Sequence, residues 1–323
     1  MRREYASIAA MAALLVGSQA VAIALSPLFQ GSGYQAFPNP SDVTNTVVYV
    51  ILILVFTAVI LGLVRYRRQN LAKYVIMASI FITLAFILLL PLYYGLYGLY
   101  YATGENPDPN FQNILANVAT LLSFGFAALL VYVLVKFPEW YVVDTVGFVT
   151  AAGVTAILGI SFGAIPAILL LVALAFYDAW AVYRTKHMIT LADELTSQRL
   201  PILLVIPKKA GYSFREQKSL KAQIASGEER EAMFIGLGDL IIPGIMSVSA
   251  FTFLTAPGRS FLGLEPNAFV AAGTVLGSLV GFFFLMRFVL KGNPQAGLPL
   301  LNGGALLGFL LTNLLAYGYL NLA

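Results

Sequence analysis

Two aspartates sit in stretches that otherwise belong in hydrocarbon. Asp178 lies in Ala175-Phe-Tyr-Asp-Ala-Trp180 and Asp239 in Met233-Phe-Ile-Gly-Leu-Gly-Asp-Leu-Ile-Ile-Pro-Gly-Ile-Met246. Ionisable side chains inside apolar runs are costly and mark sites that use them. Two carboxylates at one depth in a dry bundle would share a proton, because desolvation and like-charge repulsion both oppose double ionisation. Such a pair can work on a water attacking a carbonyl, one member taking a proton while the other donates to the carbonyl oxygen. The same pair can instead relay protons or bind a cation. Residue chemistry alone leaves both open.

The residues around Asp239 add a bias. Gly236 and Gly238 remove side chains just before the acid, so a helix or an extended chain can approach closely. Pro243 has no N–H, so the carbonyl of Asp239 loses its helical bond and the helix is opened beside the acid. Proline kinks are common in membrane helices; the coincidence with Asp239 is what makes this one notable. Other candidates are weaker. Asp144 lies near the inner end of an apolar run beside Trp140 and Tyr141, where an interfacial acid is unremarkable. Arg287 can reach the membrane surface along its own stem. The single histidine, His187, falls in a loop, which disfavours a serine–histidine pair and leaves no multi-histidine metal cluster. There is no H-E-x-x-H, and the absence of cysteine excludes disulfides, thiolate metal sites and a cysteine nucleophile.

The elements that must carry these acids are membrane helices. The chain has 323 residues, 59% hydrophobic and 11% charged, with mean hydropathy +0.84. Its apolar runs are continuous and about 20 residues long, which suits helices rather than the alternating strands of a barrel. Nine spans are expected, at roughly 5–27, 46–64, 72–98, 112–135, 141–159, 162–183, 232–255, 268–290 and 298–321. The first run follows Arg2 and Arg3 but is too long for most cleaved leaders, so it reads as a span. This is an all-α polytopic membrane protein by expectation: residues 1–183 form spans one to six, 184–231 a cytoplasmic loop, and 232–323 spans seven to nine.

Charge gives the orientation. With the N-terminus cytoplasmic and the C-terminus outside, only Arg259 of the 19 Lys and Arg residues lands outside. That is the expected asymmetry of positive charge. The basic excess thus follows from membrane orientation, not from nucleic-acid binding. On this topology Asp178 is about five residues, or ~8 Å, from the cytoplasmic end of span six, and Asp239 about seven residues, or ~10 Å, from the same side of span seven. The acids are therefore depth-matched.

Within the 184–231 loop, Leu200-Pro-Ile-Leu-Leu-Val-Ile206 is an apolar patch that either lies on the membrane surface or forms a strand edge, since Ile and Val favour extended backbone. Gly273, Gly277 and Gly281 in span eight, and Gly304 and Gly308 in span nine, recur at the spacing that lets helix backbones pack closely. Were the acids to hydrolyse a peptide bond in a membrane helix, that helix would hide its amides in its own hydrogen bonds and would have to be unwound before water could attack. Its freed amides then need new partners. An extended edge near the start of span seven, or around Pro299, is the expected partner, with the Leu200–Ile206 patch a lesser contributor.

Tyr177-Asp178 in span six, Gly236-Leu237-Gly238-Asp239 in span seven and Pro299-Leu300-Leu301 opening span nine resemble the YD, GxGD and PAL motifs of presenilin-type intramembrane aspartyl proteases. This family includes signal peptide peptidase and the catalytic subunit of γ-secretase, and the chain looks like a single-chain archaeal or bacterial homologue. Each motif is short; their order and their placement in spans six, seven and nine make the joint match specific. By resemblance, Asp178 and Asp239 form the catalytic dyad, and Tyr177, Gly236, Leu237, Gly238, Pro299, Leu300 and Leu301 shape the site and position substrate. Leu300 departs from the usual middle alanine, which puts substrate fit in doubt but not the acids. The resemblance further implies hydrolysis of peptide bonds within transmembrane helices, a prokaryotic cell membrane as location, membrane-protein substrates as partners, and no metal or organic cofactor.

Overall fold

The computed structural model describes residues 2–66, 68–104, 108–185, 203–209, 211–214, 231–261, 263–290 and 295–322. Most of the 184–231 loop, with His187 and residues 200–202 of the apolar patch, lies outside the described residues. Nine α-helices are present among them: α1 (Arg2–Gly31), α2 (Thr44–Arg65), α3 (Gln69–Tyr101), α4 (Pro109–Lys136), α5 (Trp140–Gly159), α6 (Ala164–Trp180), α7 (Leu237–Phe253), α8 (Pro266–Val289) and α9 (Leu298–Tyr317). A π-helical turn, Ala181–Thr185, continues α6. Two short strands, β1 (Leu203–Pro207) and β2 (Ala232–Gly236), precede α7. Eight of the helices are long and apolar enough to cross a membrane, and α7 is a shorter apolar helix.

The expected spans agree with the helices to within a few residues, except the seventh. That span was expected from residue 232, but the helix begins at Leu237. Residues 232–236 pair antiparallel with Leu203–Pro207, matching Leu203 to Gly236 and Pro207 to Ala232. Hydropathy cannot separate a short apolar strand from the start of a helix. The partner strand, Leu-Leu-Val-Ile-Pro, supplies the β-favouring residues that decide it. At 1.5 Å per residue the 17 residues of α7 reach only ~26 Å, and the strand completes the approach to the helix. The apolar patch is thus a strand over its described part, not a surface-lying linker.

Loop ends are tied in the usual way. Asp108 Oδ1 accepts from the Phe111 N–H (2.6 Å) at the start of α4, satisfying an orphan donor of the first turn. Asp42 Oδ1 accepts from the Thr44 N–H (2.8 Å) before α2, and that bond holds its carboxyl below the usual carboxylate range.

Two sets of contacts fix the helices that matter most. The first is polar. Gln19 of α1 is fully buried; its Nε2 donates to Ser278 Oγ of α8 (3.0 Å) and its Oε1 accepts from Ser247 Oγ of α7 (2.7 Å). One amide thereby joins three helices with no polar atom of its own left over, as a buried amide requires. The expected first span is therefore an integral part of the bundle.

The second set is the glycine seam between α8 and α9. A Cβ at Gly277 would run into the Gly304 carbonyl, one at Gly308 into the Gly273 carbonyl, and one at Gly281 into the Leu300 carbonyl. The small-residue spacing read from the sequence is therefore backbone-to-backbone packing. It sets how close the start of α9 lies to α8. Gly277→Val is expected to destabilise the fold by about 2–3 kcal/mol, as overpacking against an unyielding backbone does. Gly303→Ala, at a position with nothing within 4 Å of the added Cβ, should leave stability unchanged or slightly raised. Thermal unfolding in detergent measures both.

Candidate active site

Asp178 is the third residue from the end of α6 and Asp239 the third residue of α7. Asp178 is buried and Asp239 half-buried. Both carboxylates meet the start of α9. The Leu298 N–H donates to Asp178 Oδ2 (3.0 Å). A Cβ at the preceding Gly297 would lie 2.9 Å from Asp239 Oδ1. The two acids therefore converge on one dipeptide, Gly297–Leu298. Donors in the first turn of a helix have no partner of their own, so α9 can lend its Leu298 N–H to an acid without breaking its ladder.

The glycines next to Asp239 do different work. Gly236 closes β2 and lies against the acid, a Cβ there falling 3.3 Å from Asp239 Oδ2. Gly238 is exposed, and an added Cβ would meet nothing within 4 Å. One glycine fits the acid close to the strand, and the other leaves an open side. Between them Leu237 is half-buried, its side chain reaching toward Gly147 of α5. Ten residues inside α7 are buried from Leu240 through Ala250, so the helix is anchored immediately beyond the acid.

Pro299, Leu300 and Leu301 form the first turn of α9. A proline there costs nothing, because the first-turn N–H groups have no helical acceptor. Leu301 is fully buried in the apolar cluster with Leu240, Phe282 and Met286, and the half-buried Leu300 packs against that cluster. Leu300 is thus a packing residue whose carbonyl rests on Gly281, and its size is accommodated. Tyr177 is half-buried, and its hydroxyl makes no hydrogen bond among the described residues. It borders the site without bonding to the acids.

Two residues that the sequence did not single out, and one that it set aside, belong to this arrangement. Gly297 provides the space into which the Asp239 carboxylate fits. Asn302, one turn further along α9, donates from Nδ2 to the Leu171 carbonyl of α6 (2.9 Å). With the Leu298–Asp178 bond it clamps α9 to α6, and its Oδ1 is a buried acceptor with no partner among the described residues. Asp144, set aside in the sequence as an interfacial acid, is the third: it is buried in α5, and its Oδ1 accepts from the Val205 N–H of β1 (2.7 Å). Only knowledge that residues 203–207 form a strand against α5 would have drawn attention to it.

The family model for signal-peptide peptidase, presenilin aspartyl protease matches residues 12–105 and 109–318. The chain belongs to that family. Two solved structures of a presenilin family intramembrane aspartate protease are similar to it. The one in the C222 space group is 33% identical with a TM-score of 0.63, covering 96% of this chain and 99% of the other. The one in the P2 space group is 34% identical, also with a TM-score of 0.63, covering 95% and 97%. Among curated proteins no match is found. The chain is thus an intramembrane aspartic endopeptidase of the presenilin family, embedded in a membrane by several helices.

Gly297→Ala isolates the space requirement at the site. The Gly297 backbone, at φ −78°, accepts a side chain without strain, so the fold is expected to keep its thermal stability. The added methyl must push the Asp239 carboxylate aside. A displacement of this kind costs on the order of 10²-fold in kcat, measured with a single-span peptide substrate.

Proposed function

We propose that Asp178 and Asp239 are the catalytic dyad, hydrolysing peptide bonds within transmembrane helices of membrane-protein substrates. The observation that carries this reading is the convergence of both carboxylates on Gly297–Leu298. With one proton between them, one carboxylate takes a proton from an attacking water while the other donates its proton to the scissile carbonyl oxygen. The resulting tetrahedral diol collapses as a proton passes to the amide nitrogen. The C–N bond breaks, and the dyad again holds one proton.

The substrate must be extended at the scissile bond, and β2 supports a place for it. Lys208 N–H donates to the Glu231 carbonyl (2.8 Å), which makes this a hydrogen-bonded pair. By the alternation of antiparallel ladders the pairs Ile206–Met233 and Leu204–Ile235 are bonded too, and the backbone groups of Ala232 and Phe234 point away from β1. Among the described residues, none meets Ala232 or Phe234 with a hydrogen bond on that side. An unwound substrate strand added to this edge gains main-chain bonds five to seven residues from Asp239, with little demand on its sequence. Pro299, Leu300 and Leu301 then border the strand from α9. The positive charges favour a cytoplasmic N-terminus in a prokaryotic plasma membrane, which puts the hairpin and both acids toward the cytoplasmic side.

Asp178→Asn and Asp239→Asn should each abolish cleavage of a single-span peptide, followed by mass spectrometry, while the protein stays folded in detergent. Full proteolysis by either variant, or proton flux across liposomes without any peptide cleavage by the wild type, would sink the assignment. Phe234→Pro removes one outward N–H from β2 and none that bonds β1, as edge prolines do. It should raise KM for the peptide by roughly 10-fold, about the effect of one main-chain hydrogen bond to an otherwise unpaired group. An unchanged KM would remove β2 as the docking edge.

A further inference from the structure

A two-stranded sheet has two outer edges, and only one of them leads to Asp239. The outer edge of β1 exposes the backbone groups of Leu203, Val205 and Pro207, the positions that do not bond β2. Two of these three are already engaged or blocked. The Val205 N–H donates to Asp144 Oδ1 of α5 (2.7 Å, buried). Pro207 has no N–H, and its carbonyl accepts from Ser7 Oγ of α1 (3.0 Å). Room is found at the Pro207 end of this edge: a cavity of about 470 Å³ is lined by Ser7, Ala10, Trp140, Ile206, Pro207 and Tyr212, among others. An extended chain could approach the Pro207 end of β1 there, while α5 covers the edge at the fully buried Val205. Unpaired strand edges attract any available strand, and proteins commonly block the wrong one.

We infer that Asp144 is a positioning residue that caps the outer edge of β1, so that substrate strands add only to β2 and enter beside Asp239. This rests on the strand-addition reading above. The carboxylate side chain is suited to the task. Asp144 comes from the rigid, buried face of α5, next to Gly147, where the Leu204 side chain seats against the helix. An acceptor fixed there also holds the hairpin's height against α5. Since β2 runs directly into α7 through Gly236, the height of β1 is passed on to Asp239 by the strand pairing. Asp144 therefore acts through the hairpin and not on the substrate.

The test uses the purified full-length protein with a single-span peptide, reading kcat, KM and the cleavage positions by mass spectrometry, and amide exchange of residues 203–207. Asp144→Ala is expected to raise KM at least several-fold, to add cleavage positions absent from the wild type, and to speed exchange at Val205. Asp144→Asn keeps an acceptor oxygen at the same place and should restore all three. A purely packing role would instead change stability and leave the cleavage positions alone. Unchanged positions and KM in Asp144→Ala, or equal impairment in the Ala and Asn variants, overturn the inference. Should Asp144→Ala fail to fold, Ser7→Ala carries the test, since it uncaps Pro207; a wild-type product pattern there overturns the inference equally. If the wild-type protein cleaves no peptide, the strand-addition reading fails, and slow Val205 exchange lost only in Asp144→Ala still decides whether the edge is capped.

Discussion

The site depends on one backbone amide in an unusual place: the Leu298 N–H, donating to Asp178 from the first turn of α9. That bond fixes where α9 begins relative to α6, and Gly297, one residue earlier, leaves its space to the Asp239 carboxylate. Three helices distant in sequence therefore meet at one dipeptide. The glycine seam of α8 and α9 makes this possible, because only backbone-to-backbone packing at Gly277 and Gly281 lets α9 start so close to α8. Asn302 adds a second tie from α9 to α6, so the first turn of α9 is held at two points. Buried acids need such frames: an aspartate without fixed donors would pay the full desolvation cost of its charge.

The second constraint is that backbone groups at membrane depth must be satisfied. The chain meets it with helices nearly everywhere and breaks it in one region, the β1–β2 hairpin that feeds α7. There the exceptions are unequal. One outer edge is met by Asp144 and Ser7 and interrupted by Pro207, while on the other edge Ala232 and Phe234 have no partner among the described residues. An enzyme that must unwind a helix inside a bilayer has a use for such an asymmetry. On the proposed reading, the open edge offers the hydrogen bonds that the substrate loses, and β2 ends three residues before Asp239.

Much of this was legible in the sequence because the strongest signals are long or chemically rare. Nine apolar runs located the helices, and two acids in hydrocarbon marked the candidate site. The Gly273, Gly277, Gly281 and Gly304, Gly308 spacings announced close backbone packing, though not that α8 and α9 are the helices that meet. What the sequence hid was local and tertiary. Residues 232–236 are as apolar as a helix start, and only their pairing with Leu203–Pro207 makes them a strand. Asp144 looked interfacial because its partner, the Val205 amide, is 61 residues away. Gly297 was inconspicuous because a lone glycine before a helix has many explanations, and only the Asp239 carboxylate beside it gives the one that matters here.

The central claim is that Asp178 and Asp239 act together on a substrate strand paired with β2. A structure of the protein bound to a peptide mimic carrying a hydroxyl at the transition-state position tests it most directly. The account predicts the hydroxyl within hydrogen-bonding distance of both carboxylates, and the mimic's main chain paired with Ala232 and Phe234. A hydroxyl that touches only one of the acids, or a mimic extended along β1 instead, would contradict it.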